Sequence, residues 1–327
     1  MLPDSKGVTL GEWLDYWLKT YAKIKVRSTT YENYEMFIRV HLKPALGDMK
    51  LHDITTNDIQ QVYNQKLKEG RTDGRGGLSP RSIHIMHTIL NQAFRRAKIP
   101  QKLYINPATD CVLPSVSKKP KARVLRENEQ ARYIKAVSQS RYGTAFLLFL
   151  GTGLRRGEML GLKWENVDLD NGTIYIQQQL LQVKEDDKYQ LGYYAPKSEK
   201  SIRQLPLPKW AIDLLKKHKE KQNKEKRDYI EDNGLVFCTT RGTPINPSNF
   251  WRDFKKVLHE AQLPDIRIHD LRHTFATRLL EKGVAIKVIQ ELMGHSQFSL
   301  TADTYTQVLD GLKRKAIQKL DNSLDSQ

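Results

Sequence analysis

The stretch His269-Asp270-Leu271-Arg272-His273-Thr274-Phe275-Ala276-Thr277-Arg278-Leu279-Leu280-Glu281-Lys282-Gly283 reads as one helix with two kinds of face. Residues three apart lie on the same side, so His269 and Arg272 project together while Leu271 and Phe275 point elsewhere. His269 and His273 also stand at the i, i+4 spacing of an HExxH zinc pair. Asp270 occupies the place where that pattern needs a glutamate, and Arg272 would bring a cation to the metal, so no metal or cofactor is expected. A capping His269 beside a core His273 is the plain structural alternative, and His273 itself is read as packing.

Working outward, Thr152-Gly153-Leu154-Arg155-Arg156-Gly157-Glu158 follows an apolar segment. Its glycines let the backbone approach another chain or a phosphate, and Arg155 presents a planar fork suited to bidentate phosphate recognition. Further on, Met293-Gly294-His295-Ser296 places a glycine where a helix can end, with His295 projecting from the terminus. Tyr305 sits ten residues later among small polar neighbours, a setting for a reactive or ligand-facing phenol rather than a core ring.

Composition agrees with an anionic partner. Lys and Arg number 54 against 37 Asp and Glu, leaving net charge +17 on 327 residues. Residues 1–117 hold 17 basic and 11 acidic side chains, or +6, and the remainder carries +11. Both halves are therefore basic, as suits an elongated polyanion gripped on two sides. Cys111 and Cys238 are the only cysteines, with no CxxC spacing, so neither a disulfide framework nor a thiolate metal site is implied. No apolar run approaches the ~20 residues of a membrane span, and Met1-Leu2-Pro3-Asp4 lacks a signal pattern. A soluble intracellular protein with no membrane partner is expected.

Organisation follows from periodicity. Thr9 caps a helix with Leu10, Trp13, Leu14, Trp17, Leu18 and Tyr21 at helical spacing. A second follows Ser28 and stops before Pro44, Thr56 caps a third, and Ser79-Pro80 opens a fourth. Residues 70–77, rich in glycine, connect the last two. Residues 1–111 thus form a small helical domain, and 112–122, with two prolines and several lysines, form a basic linker. The rest, 123–309, is mainly helical with a small antiparallel sheet between Thr173 and Leu207, where Glu185-Asp186-Asp187 makes a turn. Asp310–Leu320 is an amphipathic segment within a tail, 310–327.

Four stretches carry a resemblance: TGLRRGEMLGL (Thr152–Leu162), PKSEKSIRQLPL (Pro196–Leu207), HDLRHTFATRLLEKG (His269–Gly283) and MGHSQFSLTADTYT (Met293–Thr306). In order and spacing they resemble the tyrosine recombinases of the phage-integrase family, especially integrases of conjugative transposons. The resemblance implies an all-α, SAM-like core-binding domain followed by a mainly α catalytic domain of the DNA breaking-rejoining fold. It assigns Arg155 and Arg272 as the arginine pair, Lys197 as the hairpin lysine, His269 and His295 as the histidines, and Tyr305 as nucleophile. It also implies double-stranded DNA as partner, a homotetramer on two duplexes with the tail docking on a neighbour, excisionase and DNA-bending factors, and work on the bacterial nucleoid. Many members carry an arm-site-binding domain ahead of the segment matching GEWLDYWL; here ten residues precede Gly11.

The chemistry of such a set is phosphoryl transfer. A phenol of reference pKa ~10 needs a proton acceptor near pH 7, and the phosphate oxygens need positive charge around them. Two other functions use parts of the same pattern: strand relaxation of the type IB topoisomerase kind, and an architectural DNA-binding role in which Tyr305 does no chemistry.

Overall fold

The computed structural model describes residues 7–98, 103–116, 123–185, 188–196 and 199–294. The chain divides into two compact units, Met1–Lys119 with Val183–Lys188, and Pro120–Gln182 with Tyr189–Gln327. No helix among the described residues is long and apolar enough to cross a membrane.

In the first unit, α1 (Leu10–Trp17) begins at a reciprocal cap: the Thr9 hydroxyl accepts the Glu12 N–H at 3.3 Å, and the Glu12 carboxylate accepts the Thr9 N–H at 2.9 Å. A wide π turn, Leu18–Ala22, carries it into α2 (Lys23–Lys25). α3 (Ser28–Phe37) passes through a second π turn, Ile38–Leu42, into α4 (Lys43–Leu46). The expected stop before Pro44 is therefore not made. In the wide turn the Lys43 N–H reaches back to Ile38, which places Pro44 in the first turn of a new helical segment, where its missing N–H costs little.

α5 (Thr56–Glu69) is capped one residue earlier than expected, by Thr55, which accepts the Asp58 N–H. The Thr56 hydroxyl donates instead to the Pro107 carbonyl at 2.9 Å. α6 (Pro80–Ala97) starts at the foreseen Ser79 cap and sends Ile83, Met86, Leu90, Ala93 and Phe94 into the core. Trp13, fully buried among them, donates its indole N–H to Ala93 at 2.9 Å. Beyond α6, Val112 is held by Gln60 through both backbone groups, and the Pro114 carbonyl pairs with His84 at 2.9 Å. The start of the basic stretch is thus tied to this unit.

The second unit opens with α7 (Glu127–Val137), α8 (Gly143–Thr152) and the short α9 (Arg156–Leu160). Strands β1 (Val167–Asp168) and β2 (Thr173–Ile176) are followed by β3 (Gln179–Glu185), β4 (Lys188–Tyr194) and β5 (Arg203–Pro206). They form two sheets rather than one. β1, β2 and β5 are antiparallel, with Ile174 opposite Leu205 and Ile176 opposite Arg203, while β3 and β4 pair separately as a hairpin.

α10 (Lys209–Glu225), α11 (Pro247–Glu260), α12 (Ile268–Glu281) and α13 (Ile286–Met293) complete the described unit. α10 is not foreseen in the sequence reading, because lysines crowd out its apolar stripe and Ala211, Leu215 and Gln222 are its only buried residues. The core gathers aromatic rings from α8 and α11, with Phe146 4.7 Å from Phe250 and 5.5 Å from Phe254 by ring centroid. α8 also packs directly along α12.

Candidate active site

Where α8 ends, Gly153 turns left-handed at φ +60°. A Cβ there would lie 2.5 Å from the Phe275 ring, so glycine alone lets the backbone press this closely on α12. The Gly153 carbonyl accepts a hydrogen bond from the Arg272 guanidinium. Two residues on, Arg155 caps α9. Its backbone N–H donates to Glu158 at 2.9 Å and its guanidinium to the same carboxylate at 2.6 Å.

α12 starts in the same manner, with Arg267 at the cap bonded to Asp270 at 2.8 Å through the backbone and 2.9 Å through the side chain. One turn later Arg272 is fully buried. The other end of its fork donates to the Met293 carbonyl.

Met293 is the last residue of α13, and its neighbours are used as well. Arg203 donates to Leu292 at 2.8 Å, and Arg155 donates to Gly294 at 2.9 Å. Three consecutive carbonyls at one helix C-terminus are thereby held by arginines from three other elements. These groups have no partner within the helix and carry its negative dipole end, so guanidinium is well matched to them. Gly294 closes the helix at φ +59°, with Arg203 only 3.1 Å from where a Cβ would sit.

Glu158, 2% exposed, joins the arginines. Arg203 meets it at 3.1 and 3.3 Å, and Arg155 from the other side. Burial alone would raise the Glu158 pKa, but Arg203 and then Arg155 outweigh it and hold the carboxyl down at about 2. Three guanidiniums against one carboxylate leave an excess of positive charge. The Arg155 side chain stays 33% exposed, so an anion can reach it.

His269 and His273 meet edge to face, 4.9 Å apart. Solvent reaches His269, yet the protein atoms crowding it, then His273, Arg272 and Arg155, bring its pKa down to about 4. Burial also takes His273 to about 4. Both rings are neutral at pH 7, and a neutral imidazole can accept a proton.

The structure brings Arg155, Arg272 and His269 into one site. Lys197, His295 and Tyr305 lie outside the described residues, as do the turn at Asp186-Asp187 and the amphipathic segment Asp310–Leu320. The sequence reading missed Glu158 and Arg203. The signals were there: a glutamate three residues after a cap position, and an arginine on the inward side of a strand that alternates with Leu205 and Leu207.

Residues 123–311 match the family described as "Phage integrase family", and residues 9–67 match the N-terminal SAM-like domain of phage integrases. A "Tyrosine recombinase XerC-like" protein of Caldanaerobacter subterraneus subsp. tengcongensis is 34% identical over 339 residues, covering 98% of this chain and 84% of its own. The Tn1549 transposon integrase, solved with a circular intermediate DNA, is similar at TM-score 0.75 and 22% identity, over 91% of this chain and 95% of that one. A lambda integrase tetramer bound to a Holliday junction gives TM-score 0.64 at 22% identity, over 92% and 78%. At such identities the solved structures speak for the fold alone. The family match across most of the second unit and the relative that spans nearly the whole sequence speak for descent: the chain belongs to the phage integrase family.

Proposed function

We propose that this chain is a site-specific DNA recombinase that integrates and excises a mobile element, cutting and rejoining DNA through a 3′-phosphotyrosyl intermediate. Family membership carries the cutting and rejoining of DNA. The observation that supports the mechanism most is the pairing of Arg155 and Arg272 at the end of α13, on adjacent carbonyls directly before His295 in sequence. A guanidinium has five N–H donors, and the carbonyl bonds orient its plane while using one or two.

In this reading the Tyr305 oxygen attacks a backbone phosphorus in line, and the bond to the 5′-oxygen breaks. Arg155 and Arg272 neutralise the equatorial oxygens; removing one such donor typically costs about 2.7–4 kcal/mol of barrier. His269, neutral at pH 7, accepts the phenol proton, and Lys197 protonates the departing 5′-oxygen. His295 hydrogen-bonds the phosphate. The covalent link conserves the energy of the broken bond, so neither ATP nor a metal is required. A 5′-hydroxyl from a second duplex reverses the attack and exchanges strands.

Two rounds on four sites pass through a Holliday junction, on which the lambda integrase is solved as a tetramer. In this reading the tail of one copy docks on its neighbour in that assembly. Leu147, Leu150, Trp210, Phe275, Leu279 and Leu292 line an apolar groove of about 740 Å³ on the second unit, suited to Leu312, Ile317 and Leu320 of a neighbouring copy. An excisionase and DNA-bending factors on the nucleoid then set direction.

The test uses duplexes from the ends of the element encoding this chain, nicked near the crossover, in EDTA without ATP. A protein–DNA band that survives SDS and disappears with Tyr305→Phe is expected. An adduct formed by Tyr305→Phe would remove Tyr305 as nucleophile, and tight binding without any adduct would favour an architectural role.

A further inference from the structure

Arg155 and Arg156 are adjacent in sequence but serve different places. Arg155 turns to Glu158 and the end of α13. Arg156 instead lines a separate concavity of about 390 Å³, walled by Trp251 and Pro247 of α11, Arg267 and Ile268 at the start of α12, and His269. Arg155, Arg203 and Arg267 each have a carboxylate partner. The Arg156 side chain makes no hydrogen bond or ion pair among the described residues. Burial lowers its pKa with no counter-charge to oppose it, although solvent still reaches the side chain.

The rest of the lining completes an anion site. Arg267 is locked to Asp270, so its charge is compensated and the uncompensated cation is Arg156. No carboxylate lines the concavity among the described residues. Ser248, at the first turn of α11, lines the same space and offers an exposed hydroxyl. The Trp251 ring gives an apolar wall the size of a sugar, with Lys255 4.3 Å over its centroid.

Resting on the recombinase reading, we infer that this pocket holds a backbone phosphate of the DNA strand beside the scissile one, with Arg156 as its ligand. His269 belongs to both places, which puts the two phosphates within a step or two along one strand. The scissile phosphate meets Arg155 and Arg272, and the flanking phosphate fixes the register of the strand without taking part in bond breaking.

The test uses the full chain and a nicked duplex from an element end, with single neutral methylphosphonates placed at each phosphate within three of the cleaved bond. In the wild type, one flanking methylphosphonate should weaken binding roughly tenfold. Arg156→Ala and Arg156→Gln should show the same loss on unmodified DNA, become indifferent to that methylphosphonate, and flatten the slope of log Kd against log salt by about 1. Using two variants guards against misfolding of either. Wild-type affinity and slope in both variants, with the wild-type adduct intact, would overturn the phosphate pocket and leave the recombinase reading standing. Failure of the wild type to form an adduct on any nicked end would instead bring down the recombinase reading, and this proposal with it.

Discussion

Glu158 bears more than its place in a short helix suggests. It is the single carboxylate between two guanidiniums, one of them on a side chain only 7% exposed. Replacing it by Gln leaves the buried Arg203 charge uncompensated, so Glu158→Gln should lower unfolding stability by about 3–5 kcal/mol in urea titration. A loss below about 1 kcal/mol would mean that the carbonyls of Leu292 and Ser201 satisfy Arg203 alone. The titrating groups also set the pH response. The depressed pKa of Glu158, about 2, contributes stability that is complete above its ordinary value near 4.5 and is lost as pH falls towards 2. His269 and His273, lowered from 6.5 to about 4, are destabilising as pH falls through that window, because the unfolded chain takes up their protons first. Both effects have one sign: the thermal midpoint should climb from pH 4 to 6.5 and level off above. His273→Gln should make the rise shallower, and an unchanged slope would show that His273 is protonated alike in both states.

At the scale of elements, the site depends on how helices end. Gly153 and Gly294 both close helices in the left-handed region, and each supplies a carbonyl to an arginine. Gly153→Ala must accept φ +60° with a side chain, costing about 1–2 kcal/mol, and must also displace Phe275. We expect a lower urea midpoint together with slower adduct formation, since the Gly153 carbonyl orients Arg272. Slower chemistry without loss of stability would place the effect on Arg272 alone. Much of this scale was legible in sequence. The Thr9 and Ser79 caps and the glycine stop at Gly294 lie where the residues predict. The π turn that carries a helix past Pro44 was not, since nothing local distinguishes a proline that ends a helix from one that begins the next segment.

For the whole molecule, the proposed docking of the tail in the apolar groove of the second unit has its own test. Leu312→Asp with Ile317→Asp should leave DNA binding by single protomers intact and prevent the tetramer, seen as a smaller complex in sedimentation on paired element ends. A tetramer of undiminished stability would show that the tail docks elsewhere. The two basic halves, +6 and +11, then bind duplex without assembling it.

The four ordered motifs carried the resemblance that implies the family and its fold class, and periodicity and caps placed the helices, because both are written locally. The strand pattern likewise announced antiparallel pairing between Thr173 and Leu207. Long-range geometry was decided only by the tertiary structure. That the hairpin stands apart from the three-stranded sheet, that Arg203 turns inward to Glu158, and that three arginines converge on Leu292, Met293 and Gly294 all depend on contacts between distant segments. A sequence shows which side chains are available; which carbonyl or carboxylate each one meets is set by how the core packs the helices that carry them.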